Sequence, residues 1–107
     1  MTQFDVYINP SKSTKQAYPF LLDIQNPILS DLATIIVIPL GKLEYFKKES
    51  MQILTPVIEH NSEQLILLTP QIASVPSSIL KEPIGSLAHL RDDILGALDF
   101  AVTGFLR

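Results

Sequence analysis

Two histidines, His60 and His89, and the adjacent pair Asp92 and Asp93 are the side chains best suited to acid–base or metal chemistry in this chain. None of them makes a convincing reaction centre. His60 follows a strand-like run and His89 lies early in a helical one. With no cysteine and no acidic pair at ligand spacing, each reads as a surface or capping histidine rather than a metal ligand. Neighbouring residues on a helix diverge by about 100°, so Asp92 and Asp93 suit a helical surface better than a paired acid and base. No glycine-rich phosphate loop and no G-x-S-x-G element occurs. The expectation is a binding module with no catalytic residue, no metal and no cofactor.

Two other features stand out. Asn26-Pro27-Ile28-Leu29-Ser30-Asp31 sets two large apolar residues among turn formers. Either one of the pair tucks under a sheet, or the pair is an exposed contact on a loop held by a scaffold. The second feature is the segment Ser86–Phe105. Leu87, Leu90, Ile94, Ala97, Leu98, Ala101 and Phe105 recur there at spacings of three and four. That pattern predicts a helix with one buried face. Asp92, Gly96, Asp99 and Thr103 fall on the opposite, polar stripe, Ser86 is the expected N-cap, and Gly104 the expected terminator.

The elements that carry these features read as strands and turns. Phe4–Ile8 alternates, with Phe4, Val6 and Ile8 inward, and Asn9–Thr14 is turn chemistry. Tyr18–Gln25 is a second strand, with Phe20, Leu22 and Ile24 inward and Leu21, Asp23 and Gln25 outward. The β-branched run Ile35–Ile38 predicts a central strand that ends at Pro39. Gly41–Ser50 is a connection with one short helical turn, carrying Lys42, Lys47 and Lys48 as a solvated face. Ile53–His60 and Gln64–Thr69 form a hairpin across Asn61-Ser62-Glu63, and Pro56 marks the first of these as an edge or bulged strand. Leu65–Leu68 is either central or in an interface, and Gln71–Pro76 is a sixth strand. Five or six short antiparallel strands plus one helix make a single small α+β domain over residues 1–107, mostly β and barrel-like.

Composition narrows the function classes. The chain is 47% hydrophobic and only 18% charged. So apolar a small domain needs part of its surface covered, and a homodimer is the plainest cover. A net charge of −3, with two arginines, argues against a nucleic-acid surface. The absence of cysteine suggests a reducing compartment, with cytoplasm as the default. No secretory signal and no membrane-spanning apolar run is evident.

In order and spacing, several segments together resemble the CcdB family of F-plasmid-type toxin–antitoxin systems. They are Phe4-Asp5-Val6-Tyr7, Asp23-Ile24-Gln25, Val37-Ile38-Pro39-Leu40, Pro56-Val57, Ala73-Ser74-Val75-Pro76, Asp93-Ile94 and the closing Gly104. The resemblance implies an SH3-like barrel of the CcdB/MazF type, with antiparallel sheets, one C-terminal helix and a homodimeric state. It also implies a toxin used in plasmid maintenance that binds the A subunit of DNA gyrase and traps the enzyme on cleaved DNA. A CcdA-like antitoxin would neutralise it, and the complex would repress its own operon, touching DNA only through the antitoxin. The implied gyrase-binding residues are Ile28, Leu29, Asp99, Thr103, Gly104 and Phe105; no antitoxin-binding residue is assigned.

The F-plasmid type carries tryptophan at the position of Thr103, asparagine at that of Asp99 and isoleucine at that of Phe105. Losing the tryptophan removes a platform for a target arginine, about 0.5–2 kcal/mol. A carboxylate at Asp99 could compensate, since a hydrogen bond donated to a charged group is worth about 1.5–3 kcal/mol. Two alternatives are a MazF-like endoribonuclease that would use Arg91, and an inactive homologue that still binds antitoxin.

Overall fold

The computed structural model describes residues 2–49 and 51–104. Among them, seven strands form one antiparallel sheet: β1 (Asp5–Ile8), β2 (Phe20–Asp23), β3 (Thr34–Lys42), β4 (Val57–His60), β5 (Glu63–Leu67), β6 (Ala73–Pro76) and β7 (Gly85–Ser86). Their order is β4-β5-β3-β2-β1-β7, with β6 paired to β3 beside the main path. The described α-helices are α1 (Leu43–Phe46) and α2 (Arg91–Thr103). This is the expected mostly-β α+β architecture, a curled half-barrel with one C-terminal helix.

β3 organises the sheet because it changes partner along its length. Thr34–Val37 pair with β6, and Leu40–Lys42 pair with β5. Pro39 therefore does not end the strand as expected. It sits at the switch, opposite Leu21 of β2, and its carbonyl accepts from the Leu68 N–H at 3.1 Å. A missing donor is tolerated where one neighbour leaves and the next has not begun.

The sheet is covered on both faces. On one, Val6, Leu22, Ile38, Leu40, Leu65 and Leu67 pack against Leu87, Ile94 and Ala97 of the helical segment. On the other, Tyr7, Leu21, Ile35, Val37 and Leu80 form a second, smaller core. That second layer corrects the simple alternation expected for β2: Leu21, Asp23 and Gln25, read as outward, are all buried. Ile8, read as inward, is 45% exposed because it lies at the strand's end, beyond the helix-facing core. Leu65–Leu68 are buried within the chain itself, as a central strand would be.

Turn chemistry holds where it was expected. Asn61 and Ser62 both take positive φ, 51° and 65°, which closes the β4–β5 hairpin with the twist that two-residue loops favour. β4 is an edge strand, and Pro56 lies just before it. The helical turn after Gly41 is α1, continued by a 3-10 turn at Lys47–Glu49, and Lys47 and Lys48 are exposed.

The C-terminal helix begins later than its periodicity suggests. Gly85 and Ser86 are taken by β1, whose Asp5 and Val6 pair with them. Ser86 still caps, but it caps a 3-10 turn at Ala88–Leu90: its Oγ accepts from the Ala88 N–H at 3.2 Å. The α-helix proper starts at Arg91, with Asp92 and Asp93 in its first turn, where they complement the positive end of the helix dipole.

His60 is a correction. It is 8% exposed, not a surface residue, and its ring meets Phe20 edge-on at 5.5 Å. A Cβ on Gly85 would lie 2.7 Å from His60 Cε1. The two outermost strands of the curled sheet, β4 and β7, thus meet through an imidazole laid on a bare backbone. His89 is exposed, as expected.

Candidate functional surface

The Asn26–Ala33 loop presents its apolar pair outward. Asn26 initiates a 3-10 turn at Pro27–Leu29 by accepting the Ile28 N–H on its side-chain oxygen at 3.0 Å. Proline at the first position fixes φ without losing a needed donor. Leu29 N–H and Ser30 N–H then close onto the carbonyls of Asn26 and Pro27, at 2.9 and 3.0 Å. The result leaves Ile28 83% exposed and Leu29 41% exposed, so the exposed-contact alternative holds.

What holds this loop is a residue that sequence reasoning placed on the wrong face. Gln25 is buried, and its amide is fully engaged. Its Nε2 donates to Leu29 O at 3.1 Å and to Thr34 O at 3.2 Å, while its Oε1 accepts from Ile36 N–H at 3.1 Å. One side chain therefore clamps the loop to the start of β3. A cleft of about 210 Å³ opens beside it, lined by Asp23, Gln25, Ser30 and Ser77 among others. Burial pushes the Asp23 carboxyl above the ordinary carboxylate range, the Gln25 N–H at 2.8 Å works against that shift, and Asp5 adds to it.

The second predicted patch is the exposed end of α2. Ile94 and Ala97 anchor the helix, and Leu90, Leu95 and Leu98 pack around them. Past that point the helix runs clear of the core: Ala101, expected on the buried face, is exposed, and so are Val102, Thr103 and Gly104. Thr103 and Asp99 stand one turn apart, with the Thr103 hydroxyl donating to Asp99 O at 2.7 Å. Gly104 terminates the helix as expected, at φ 76°, its N–H bonded to Phe100 O at 2.9 Å. Phe105 lies outside the described residues.

Of the predicted surface residues, the fold brings Ile28 and Leu29 together on one turn, and Asp99, Thr103 and Gly104 together on one helix end. Sequence reasoning missed Val102, which is 82% exposed. Its signal was available, since it falls off the three-and-four spacing of the buried face. The two patches differ in character: one is a pair of apolar residues on a braced turn, the other a small polar helix end flanked by exposed Val102.

The family model for CcdB protein matches residues 3–104, nearly the whole chain. The chain belongs to the CcdB family. CcdB proteins are toxins of toxin–antitoxin systems and act without enzymatic chemistry. The match spans both the Ile28-Leu29 loop and the Asp99–Gly104 helix end, so both belong to the CcdB domain. No helix among the described residues is long and apolar enough to cross a membrane.

Proposed function

We propose that this CcdB-family chain binds the A subunit of DNA gyrase and poisons the enzyme by trapping its cleaved-DNA complex. The observation that carries the reading is the 83% exposure of Ile28 on a turn clamped by a buried glutamine. A large apolar side chain held rigidly in water is poorly explained by stability and well explained by recognition. Ile28, Leu29, Asp99, Thr103, Gly104 and Phe105 form the gyrase-binding surface, with Val102 beside them. In a homodimer the two-fold axis supplies two copies of each patch, making one composite surface. The exposed apolar residues Leu32, Ile72 and Val102 agree with a chain that has partners to cover them.

A CcdA-like antitoxin neutralises the toxin in the cytoplasm by laying a tail along the helix, its folding coupled to binding. The toxin–antitoxin complex represses its own operon and reaches DNA through the antitoxin. Expression in gyrase-sensitive and gyrase-resistant cells tests the central claim, because only the sensitive strain stops growing if gyrase is the target. Equal growth of the two strains refutes it. Ile28→Asp should leave folding stability within about 0.5 kcal/mol, as exposed positions do, and abolish gyrase binding by purified protein.

A further inference from the structure

Along the sequence the lysines look scattered, but the fold gathers most of them. Ser11-Lys12-Ser13-Thr14-Lys15-Gln16 makes a turn between β1 and β2 in which Lys12 through Gln16 are exposed. Buried Asn9 braces that turn. Its Nδ2 donates to Thr14 Oγ1 at 3.0 Å and to Tyr18 O at 2.8 Å, and its Oδ1 accepts the Ser11 N–H at 3.0 Å. The turn lies against α1: Lys42 N–H donates to Ala17 O at 3.0 Å, Gln16 Nε2 donates to the Tyr45 hydroxyl at 3.2 Å, and the Tyr18 and Phe46 rings meet at 5.1 Å. Lys12 and Lys15 thereby join Lys42, Lys47 and Lys48, so five of the six lysines stand on two packed segments.

The whole-chain charge conceals this. Residues 9–18 and 42–49 carry those five cations against two carboxylates, Glu44 and Glu49, a net of +3, while the rest of the chain carries −6. A net charge of −3 argues against a nucleic-acid surface only as an average. A phosphate backbone meets one surface at a time, and charge asymmetry within a chain is the footprint of a polyanion site. The residues between the lysines suit phosphate as well. Ser11, Ser13, Thr14 and Gln16 all carry side-chain donors of the kind that position a duplex without reading its bases. Tyr45 is the only large hydrophobic side chain exposed among the described residues of the two segments. Ammonium, hydroxyl and amide groups therefore dominate, which suits a phosphate backbone better than a polypeptide that must bury apolar area to order itself.

We propose that this lysine-rich end binds the phosphate backbone of duplex DNA, without base preference, through Lys12, Lys15, Lys47 and Lys48. It shares no residue with the proposed gyrase surface. In the operon-repressing complex it adds phosphate contacts to those of the antitoxin, a placement that rests on the repression reading; DNA binding by the toxin itself does not.

Fluorescence anisotropy of a labelled duplex of arbitrary sequence, titrated with the purified protein over a salt series, tests the proposal. Four phosphate contacts give log affinity a slope on log salt of about −3.6, or about a hundredfold loss between about 50 and 200 mM salt. Lys12→Gln with Lys15→Gln, and Lys47→Gln with Lys48→Gln, should each flatten the slope by about 1.8, and all four together should bring it close to zero. The four positions are exposed, so the variants keep the fold. Lys81→Gln, outside both segments, should leave the slope unchanged. Absence of wild-type binding at about 50 mM salt overturns the proposal, as does a slope that the double variants leave in place or that Lys81→Gln flattens equally. Displacement of the duplex by polyglutamate or by phosphatidylglycerol vesicles at equal charge concentration assigns the surface to an acidic polypeptide or a lipid headgroup, and overturns it too.

Discussion

Replacing Gln25 by leucine isolates the clamp beneath the exposed turn. Leucine keeps most of the side chain's volume, so the change removes three hydrogen bonds rather than opening a cavity. Two of the abandoned groups, Leu29 O and Thr34 O, belong to exposed residues and can turn to water. The third, the Ile36 N–H, points at the substituted side chain, where leucine offers nothing. Three neutral bonds at about 1 kcal/mol each, reduced by that partial rescue, give a loss of about 2 kcal/mol. That is about a thirtyfold fall in the ratio of folded to unfolded protein. Urea unfolding measures the total, and amide hydrogen exchange at Ile36 locates it. Gln25→Glu provides the comparison, since it keeps an acceptor for Ile36 but loses both donors to the loop, so Ile36 protection should survive while the loop loosens. A loss below about 0.5 kcal/mol for Gln25→Leu, with Ile36 protection unchanged, would show that the loop is held by its own turn and not by Gln25.

Further outcomes follow from backbone geometry and from titration. A Cβ on Gly96 meets nothing within 4 Å among the described residues, so Gly96→Ala should stabilise the protein by about 1 kcal/mol, the helix-propensity difference, as a raised thermal midpoint. Gly104→Ala should destabilise by about 1 kcal/mol, because the cap needs φ 76°. The folded state holds the Tyr7 proton up to about 12, above the ordinary 10.0. Between those values the native protein binds more protons than the unfolded one, so stability falls as pH rises through that window. Urea midpoints across the range should show the fall in the wild type and a flatter profile in Tyr7→Phe. Asp23 has the same sign at acid pH: stability declines as pH rises from the ordinary carboxylate range through its raised value, and Asp23→Asn should remove that decline.

Local chemistry was legible in the sequence wherever one residue type decides the backbone. Asn61-Ser62 closes a hairpin, Gly104 stops a helix, and Asn26-Pro27 starts the turn that exposes Ile28. The three-and-four spacing also found the residues that anchor α2, Ile94 and Ala97. What the sequence concealed depends on partners far away in the chain. Leu21, Asp23 and Gln25 look like an outward face until Leu80 and its neighbours fold over them. Pro39 looks like a strand end until β3 is seen to exchange β6 for β5 at that residue. Ser86 looks like the start of a helix until β1 claims it. His60 is buried only because the sheet curls far enough to set β4 against β7. Period and propensity describe one strand at a time, and none of these four depends on one strand.

The strand order also bears on how the protein comes into being. β1 is paired on one side by β2, a hairpin away, but on the other by β7, with Val6 opposite Gly85. A ribosome adding about 5–20 residues per second needs about 4–16 s to travel from one to the other. Throughout that interval the outer edge of β1 is a row of unsatisfied amides and carbonyls, the kind of template on which nascent chains aggregate or chaperones settle. Closure of that edge is thus a late event of high contact order, and it brings in the same segment that leads into α2. A translating cell accordingly holds a population of half-built toxin whose sheet exists before its helix is docked.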